Sequence, residues 1–408
     1  MPRSEESEEE DDDDDDDSTI VVHEDALIEI QKRLPVKSLC RFKCVSRRWR
    51  SLISSRSFID SHFAHSETRP KLIVSFPARN PDGRSFLRLC LVDQSHPRNG
   101  RPQLVRRGLL VPDWSGYYCS PSVEGLVCLE VASGVNICNP STGKQVTFEL
   151  PHAAASSAHS QATHSFGFDP VKREHKVLST VLRPESGHPI MESWVLTLGT
   201  NEWRPVEHCP PHHKKDGEFC FDGVLYYTAW NCSPVFVECS EIYLVAFHLS
   251  TESFRMIVTP ARASKQALIK FEGHLAVVDC SSALSGAEVI MWILEDFDRE
   301  IWKKRVFVLP PCWKKMVGDS YVSAVGMVRS GELLFAETQT VSASFFDLNA
   351  FYKVFYYDLK TNGFRRSEIH ILPPPESFEL PNRIPCMYFL LCQLRFSDHV
   401  ESLLPLGN

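Results

Sequence analysis

Residues 25–66 read DALIEIQKRLPVKSLCRFKCVSRRWRSLISSRSFIDSHFAHS. Leu27, Ile30 and Leu34 recur at i, i+3 and i+7, the spacing of one face of a short helix. Pro35 stops that helix, because its ring removes a donor and restricts the residue before it; it can equally open the next one. Val36, Leu39 and Cys40 form a second stripe, and Val45, Trp49, Leu52 and Ile53 a third. Ser57, with Asp60 three residues on, reads as a capping box ahead of Phe58, Ile59 and Phe63. Helices near or below about 12–15 residues are marginal alone, and forty-odd residues make a small core. The helices must therefore pack on each other, and an obligate partner helix is the natural remedy for so small a core.

Beyond residue 66 the period changes. KLIVSF (71–76), LRLCLV (87–92), GLVCLEV (125–131) and KVFYYDL (353–359) are short β-forming runs separated by Gly, Pro, Asn, Asp and Ser. A unit of strand, turn and strand repeats: VNICNPSTGKQVTFEL (135–150), WVLTLGTNEWRPV (194–206), YLVAFHLSTESFRMIV (243–258), VIMWILEDFDREIWKKRVFVL (289–309) and KVFYYDLKTNGFRRSEI (353–369). In three copies an aromatic follows a threonine by three positions: Thr200/Trp203, Thr251/Phe254 and Thr361/Phe364. A second unit carries a glycine two residues before Leu or Val, at Gly125, Gly223, Gly273 and Gly331. FGFDPVKREHKVLSTV (166–181) supplies a different hairpin where another such unit is due. Four strands recurring about every 50 residues is the signature of a propeller blade. The fold expected is mostly β, with a small N-terminal helical segment and about six four-stranded units in a propeller-like array. MYFLLCQLRF (387–396) is the candidate for closing the ring against strands near 70–92, which would hide exposed strand edges.

The helical segment resembles the F-box in its plant form: Ile30, Leu34-Pro35-Val36-Lys37-Ser38-Leu39, Arg41-Phe42-Lys43, Val45-Ser46, Trp49 and Leu52-Ile53, with Phe58 and Phe63 beyond. FGFDPVKREHKVLS (166–179) and NPSTGKQVTFELP (139–151) resemble the F-box-associated interaction domain found behind many plant F-boxes, which is kelch-like in its propeller build. One departure is local: the family commonly opens its first helix with a Leu-Pro pair, and here Val22-His23 precede Glu24-Asp25. The resemblance implies an F-box (20–66) and a substrate-recognition domain (67–408), behind an acidic tail (1–19) that the composition reads as disordered. It implies a subunit of a Skp–cullin–F-box ubiquitin ligase with no active site or cofactor of its own, and as partners a Skp-type adaptor, through it a cullin, and a protein substrate. Leu34, Pro35, Leu39, Val45, Trp49 and Leu52 would divide between the bundle's core and the adaptor-facing surface.

Charge and composition narrow the alternatives. Residues 5–17 hold twelve acidic side chains and otherwise only Ser7, a segment too self-repelling and too poor in apolar groups to fold. Positions 18–408 carry 43 basic and 40 acidic residues, too balanced for a nucleic-acid or acidic-lipid surface. No apolar run reaches 18 residues, so a membrane-spanning helix is not expected. The 14 cysteines form no CxxC pair, as for reduced thiols in the cytoplasm or nucleus. No GxSxG, HExxH or phosphate-cradling loop occurs. HCPPHH (208–213) is the nearest approach to a metal cluster, and its two prolines suit an exposed loop better. A propeller enzyme would need convergent side chains at the central channel, and an interaction scaffold without a cullin is a third reading. Substrate recognition is expected on loops at one end of the ring, with His152 and His164 in 152–165 and His212 and His213 in 208–217 as candidates.

Overall fold

The computed structural model describes residues 24–79, 85–94, 103–105, 108–151, 162–185, 188–231, 241–261, 266–280, 287–318, 320, 322–337, 351–371 and 395–406. Four helices come first: α1 (Glu24–Lys32), α2 (Val36–Phe42), α3 (Arg47–Ser54) and α4 (Arg56–Ser66). Pro35 stands at the start of α2 in extended conformation (φ −60°, ψ 147°). Ser46 caps α3 by accepting from the Trp49 N–H at 3.1 Å, and Ser55 caps α4 by accepting from the Phe58 N–H at 3.3 Å. The expected cap at Ser57 is thus displaced by two residues, because Ser55 already presents a hydroxyl to the free N–H groups and Ser57 lies inside the helix.

The strands are β1 (Lys71–Arg79), β2 (Ser85–Asp93), β3 (Gln103–Val105), β4 (Leu109–Pro112), β5 (Trp114–Cys119), β6 (Val127–Val131), β7 (Gly134–Asn139), β8 (Lys144–Glu149), β9 (Ala162–Asp169), β10 (Glu174–Glu185), β11 (His188–Thr197), β12 (Trp203–Val206), β13 (His212–Phe221), β14 (Val224–Asn231), β15 (Ile242–His248), β16 (Ser253–Val258), β17 (Gln266–Phe271), β18 (His274–Asp279), β19 (Glu288–Asp296), β20 (Ile301–Val308), β21 (Val322–Met327), β22 (Glu332–Glu337), β23 (Phe351–Asp358), β24 (Gly363–Ile371) and β25 (Arg395–His399). A fifth helix, α5 (Cys312–Val317), lies between β20 and β21. They form six blades: β25-β1-β2-β4, then β5 to β8, β9 to β12, β13 to β16, β17 to β20, and β21 to β24 with β3 added outside.

Six apolar clusters hold the ring, one between each pair of neighbouring blades. Ile73, Leu87 and Val111 of blade 1 pack with Trp114, Val127 and Leu129 of blade 2. The series continues through blades 2 and 3, 3 and 4, 4 and 5, and 5 and 6. It ends with Leu72, Val74 and Phe396 of blade 1 against Leu334, Val354 and Ile369 of blade 6. The ring is therefore closed. Its closing strand is β25, which pairs antiparallel with β1 from Lys71↔His399 to Ser75↔Arg395. That is later than the expected 387–396: only Arg395 and Phe396 of that run belong to it, and 387–394 lie outside the described residues. Where the sequence spaces Thr and an aromatic, the aromatic joins a cluster between neighbouring blades: Trp203 between blades 2 and 3, Phe254 between 3 and 4, and Phe364 between 5 and 6.

The repeated glycines sit in the turns from the first to the second strand of their blades. Asp222 and Gly223, both at positive φ (48° and 75°), join the paired residues Phe221 and Val224. This is the two-residue turn whose twist matches a hairpin, and it favours glycine at its second position. In blade 3 the same turn is Asp169-Pro170-Val171-Lys172-Arg173, with the Asp169 carboxylate accepting from the Val171 and Lys172 N–H groups.

Candidate functional site

The helical bundle and the ring share a core. Val36, Leu39, Ile53, Phe58 and Ile59 are buried together with Leu403, four residues beyond the end of β25. The wall that the small bundle lacks is thus supplied by the far end of the chain. Residues 400–406 run from β25 across the end of the ring. The Asn139 side-chain amide donates to the carbonyl oxygens of Ser402 (2.9 Å) and Leu404 (3.2 Å). His399 sits between the hydroxyls of Ser122 (2.8 Å) and Ser141 (3.0 Å), and burial pulls its imidazole pKa down to about 3. Two ion pairs flank this seam, Asp60 with Arg173 at 2.9 Å and Glu67 with Arg329 at 2.6 Å.

These contacts orient the molecule. Ser122, Arg173 and Arg329 lie in turns from first to second strands, and Asn139 and Ser141 in a turn from third to fourth. The bundle therefore covers the end of the ring carrying those tight turns. The opposite end receives the other connections. The strand ends that flank 152–161, 232–240, 338–350 and 372–394 lie there, those residues themselves being outside the described ones.

The bundle's surface resolves the six candidate adaptor residues into three groups. Leu39 is fully buried, so it serves the core; the expectation that it could meet a partner is corrected by its position between α3, α4 and Leu403. Leu34, Trp49 and Leu52 are half-buried against that core, with Trp49 on Phe42 at 4.8 Å and the Leu34 carbonyl oxygen accepting from His62 Nε2 at 3.0 Å. Pro35 is exposed, and Val45 is 68% exposed. Ile30, on α1, is a further exposed apolar side chain, at 53%. It is present in the sequence motif, and its place on the outer face depends on how α1 packs on α4. Lys37, Arg41, Arg47, Arg48 and Arg50 are exposed around these apolar groups.

The histidine candidates behave differently from expectation. His152 lies outside the described residues. His164 is in β9, not a loop, and is 1% exposed beside the Tyr118 ring at 5.9 Å. Its two ring nitrogens have no hydrogen-bond partner, and burial with the nearby Lys214 cation pulls its pKa to about 3. His212 is buried in β13, bonded to the Tyr227 hydroxyl (2.9 Å) and the Pro210 carbonyl oxygen (2.7 Å), and burial lowers its pKa to about 4. Neither can meet a protein docked on the surface. His213 alone of the described three is exposed, and it too is in strand β13.

What these segments build is a network in the channel. A bulge between Lys214 and Glu218 brings both side chains together, with Gly217 at φ +82°. The Lys214 ammonium donates to Glu218 Oε2 (2.5 Å), Ser165 Oγ (2.7 Å) and the His164 carbonyl oxygen, under the rings of Tyr118 and Tyr227. Glu218 Oε1 accepts from the Tyr118 hydroxyl and the Phe166 N–H, each at 2.9 Å. Burial lowers the Lys214 pKa, opposed by the carboxylate. All three ammonium protons are used internally, so the network staples blades 2, 3 and 4 together. Among the described residues, no group of three or more His, Cys, Asp or Glu side chains could hold a metal ion.

A short helical bundle with an exposed apolar edge, fixed to one end of a closed six-bladed ring, defines a helical-module-plus-propeller protein. Residues 23–61 match the F-box domain, and residues 78–394 match the F-box associated beta propeller domain. The chain belongs to the plant F-box proteins that carry this propeller. It is 33% identical over 376 residues to F-box protein At3g49450 of Arabidopsis thaliana, covering 86% of this chain and 87% of that one. It is 29% identical to F-box protein DOR of the same plant, covering 85% and 87%. Of solved structures, the six-bladed fungal lectin from Aleuria aurantia aligns over 76% of this chain and 98% of its own at 10% identity and a TM-score of 0.37, too weak a match to add to the fold described.

Proposed function

We propose that this protein is the substrate-recognition subunit of a Skp–cullin–F-box ubiquitin ligase. In this reading it carries no chemistry itself and raises the effective concentration of a protein substrate near a ubiquitin carrier held elsewhere. The observation that carries the proposal is the polarity of the molecule. Ile30, Pro35 and Val45 are exposed apolar side chains on the bundle at one end, and the connections between successive blades leave the ring at the other. A Skp-type adaptor, and through it a cullin, would occupy the first, and the substrate the second. The channel network supports a binding role over an enzymatic one, since its convergent side chains are bonded to each other. The proposed working compartment is the cytoplasm or the nucleus.

The test is co-purification of the full-length protein with a Skp-type adaptor and a cullin, followed by a proteasome-blocked search for ubiquitinated companions. Recovery of both subunits is expected. Recovery of the adaptor without any cullin would instead favour an interaction scaffold outside a ligase.

A further inference from the structure

Residues 24–66 carry nine Lys or Arg side chains against four Asp or Glu, while residues 67–408 carry 34 against 36. The positive excess of the chain beyond its acidic tail is thus gathered on the helical bundle. Two of the bundle's acids are already paired, Glu29 with Lys32 and Asp60 with Arg56 and Arg173. Among the described residues, no carboxylate lies within 4 Å of the cations of Lys37, Arg41, Lys43, Arg47 or Arg50 on α2, α3 and the turn between them. Lys144 of blade 2 adds to this field: burial, and with it the Lys144 cation, lowers the Lys43 pKa. Arg50 Nε donates to the Lys43 carbonyl oxygen at 3.1 Å, which holds the cations of the two helices side by side. Lys37 and Arg41 stand at i and i+4, an unfavourable spacing for like charges. Arg47 opens α3, whose first turn holds no acid to offset the positive end of the helix dipole. The exposed Pro35 and Val45 each lie two residues from one of these cations.

We propose that the acidic segment 5–17 of this same chain docks on the cationic face of α2 and α3 and covers Pro35 and Val45, holding the bundle back from its partner. The effect on an adaptor rests on the function proposed above; the docking itself does not. Residues 5–17 lie outside the described residues, and their sequence places twelve carboxylates in thirteen positions. Only the six uncharged residues 18–23 separate them from Glu24, a tether of at most about 20 Å, beside helices that are about 10–17 Å long. So short a tether gives an effective concentration on the order of millimolar. Exposed ion pairs that are individually weak then suffice together, and the segment needs no fold to make them. The tethering also favours the chain's own tail over that of a second copy, which has to be drawn from dilute solution. The ring, without a positive excess, offers no comparable competitor.

The test uses full-length protein and a tail-neutral variant in which each acid of 5–17 becomes its amide, Asp→Asn or Glu→Gln. The probe is a fluorescein-labelled peptide of residues 5–17, followed by fluorescence anisotropy. Saturable binding to the tail-neutral variant is expected at low salt, at least roughly tenfold weaker on wild type, whose own tail competes, and lost in 0.5 M NaCl, about four times physiological ionic strength. In the tail-neutral background, Arg41→Glu with Arg47→Glu should weaken it by roughly tenfold or more, and the milder Arg41→Gln with Arg47→Gln should act in the same direction. Lys314→Glu with Lys315→Glu, exposed on α5, should leave it unchanged. No saturable binding, equal binding to wild type and tail-neutral protein, or insensitivity to the Arg41 and Arg47 variants overturns the proposal. So does a concentration-dependent dimer of wild type that the tail-neutral variant lacks, which would give the face to the tail of a second copy. A purified Skp-type adaptor should then bind the tail-neutral variant several-fold more tightly than wild type at low salt, with the difference gone in 0.5 M NaCl. Equal adaptor affinities overturn the covering role. Peptide binding without adaptor binding to either protein upholds the docking and counts against the function alone.

Discussion

Replacing Leu403 by alanine is expected to loosen the helical bundle while the ring stays folded. Leu403 is 3% exposed and packs with Val36, Leu39, Ile53, Phe58 and Ile59, so its side chain is part of a core that a segment of this size cannot complete alone. A buried Leu→Ala change costs about 2–5 kcal/mol through lost transfer energy and the cavity left behind. Taking about 3 kcal/mol, the equilibrium for opening the bundle should rise by roughly two orders of magnitude. The ring's inter-blade clusters do not include this residue. Hydrogen exchange followed by mass spectrometry separates the two regions, with α2 to α4 reporting on the bundle and β17 to β20 on the ring. Protection in α2 to α4 should fall and protection in β17 to β20 should hold. Leu403→Met, which keeps most of the volume, should lie close to wild type. If the alanine variant leaves α2 to α4 protected to within about threefold of wild type, the far end of the chain does not complete the bundle.

Three further outcomes follow from the same contacts. Gly125→Ala and Gly273→Ala both place a side chain at positive φ (80° and 88°), a strain of about 1–2 kcal/mol. Only at 125 would the new Cβ fall 2.3 Å from the Ser402 Cβ, so Gly125→Ala should cost clearly more in urea denaturation; equal costs would disprove the close approach. Lys214→Met should destabilise by about 3–5 kcal/mol by leaving Glu218 buried without its cation, and Lys214→Met with Glu218→Gln should recover part of that loss; a double variant no better than the single would argue against a coupled pair. His164, His175, His212 and His399 have folded pKa values of about 3 to 4, below the ordinary 6.5. Only the unfolded chain binds their protons as pH falls from 6.5 towards 4. Stability is then lost by about 1.4 kcal/mol per pH unit per histidine, and urea midpoints that stay flat from pH 7 to 5 would contradict this.

Much of this architecture is written locally. The four helices follow from short-range apolar spacing and from Pro35, and the blades from turns such as Asp222-Gly223 and from aromatics such as Phe254 and Phe364 that fill the gap between sheets. The misses share a cause, which is partners distant in sequence. HCPPHHKKDG has the polarity of a solvated loop, yet Lys214 meets Ser165 and Glu218 in the buried network, so its charge is satisfied by the protein and the segment is strand from His212 onward. His164 is read as loop for the same reason, its neighbours being small and polar. Leu39 is indistinguishable from Leu34 in the helical stripe until α4 and Leu403 close over it. The apolar residues of VESLLPL (400–406) are the one local hint of that contact. Nothing in Gln103–Val105 announces that it will cross to another blade.

The most direct test of the proposed function is calorimetric titration of the full-length protein with a purified Skp-type adaptor, beside Val45→Glu and Ile30→Glu variants. Both residues are more than half exposed on the bundle, so the substitutions leave its core intact while placing a charge in the apolar surface. Tight binding by wild type, with a weakening of about a hundredfold in the double variant and an unchanged thermal midpoint, is the predicted result. Equal affinity of wild type and the double variant would contradict it, and so would no binding to any adaptor.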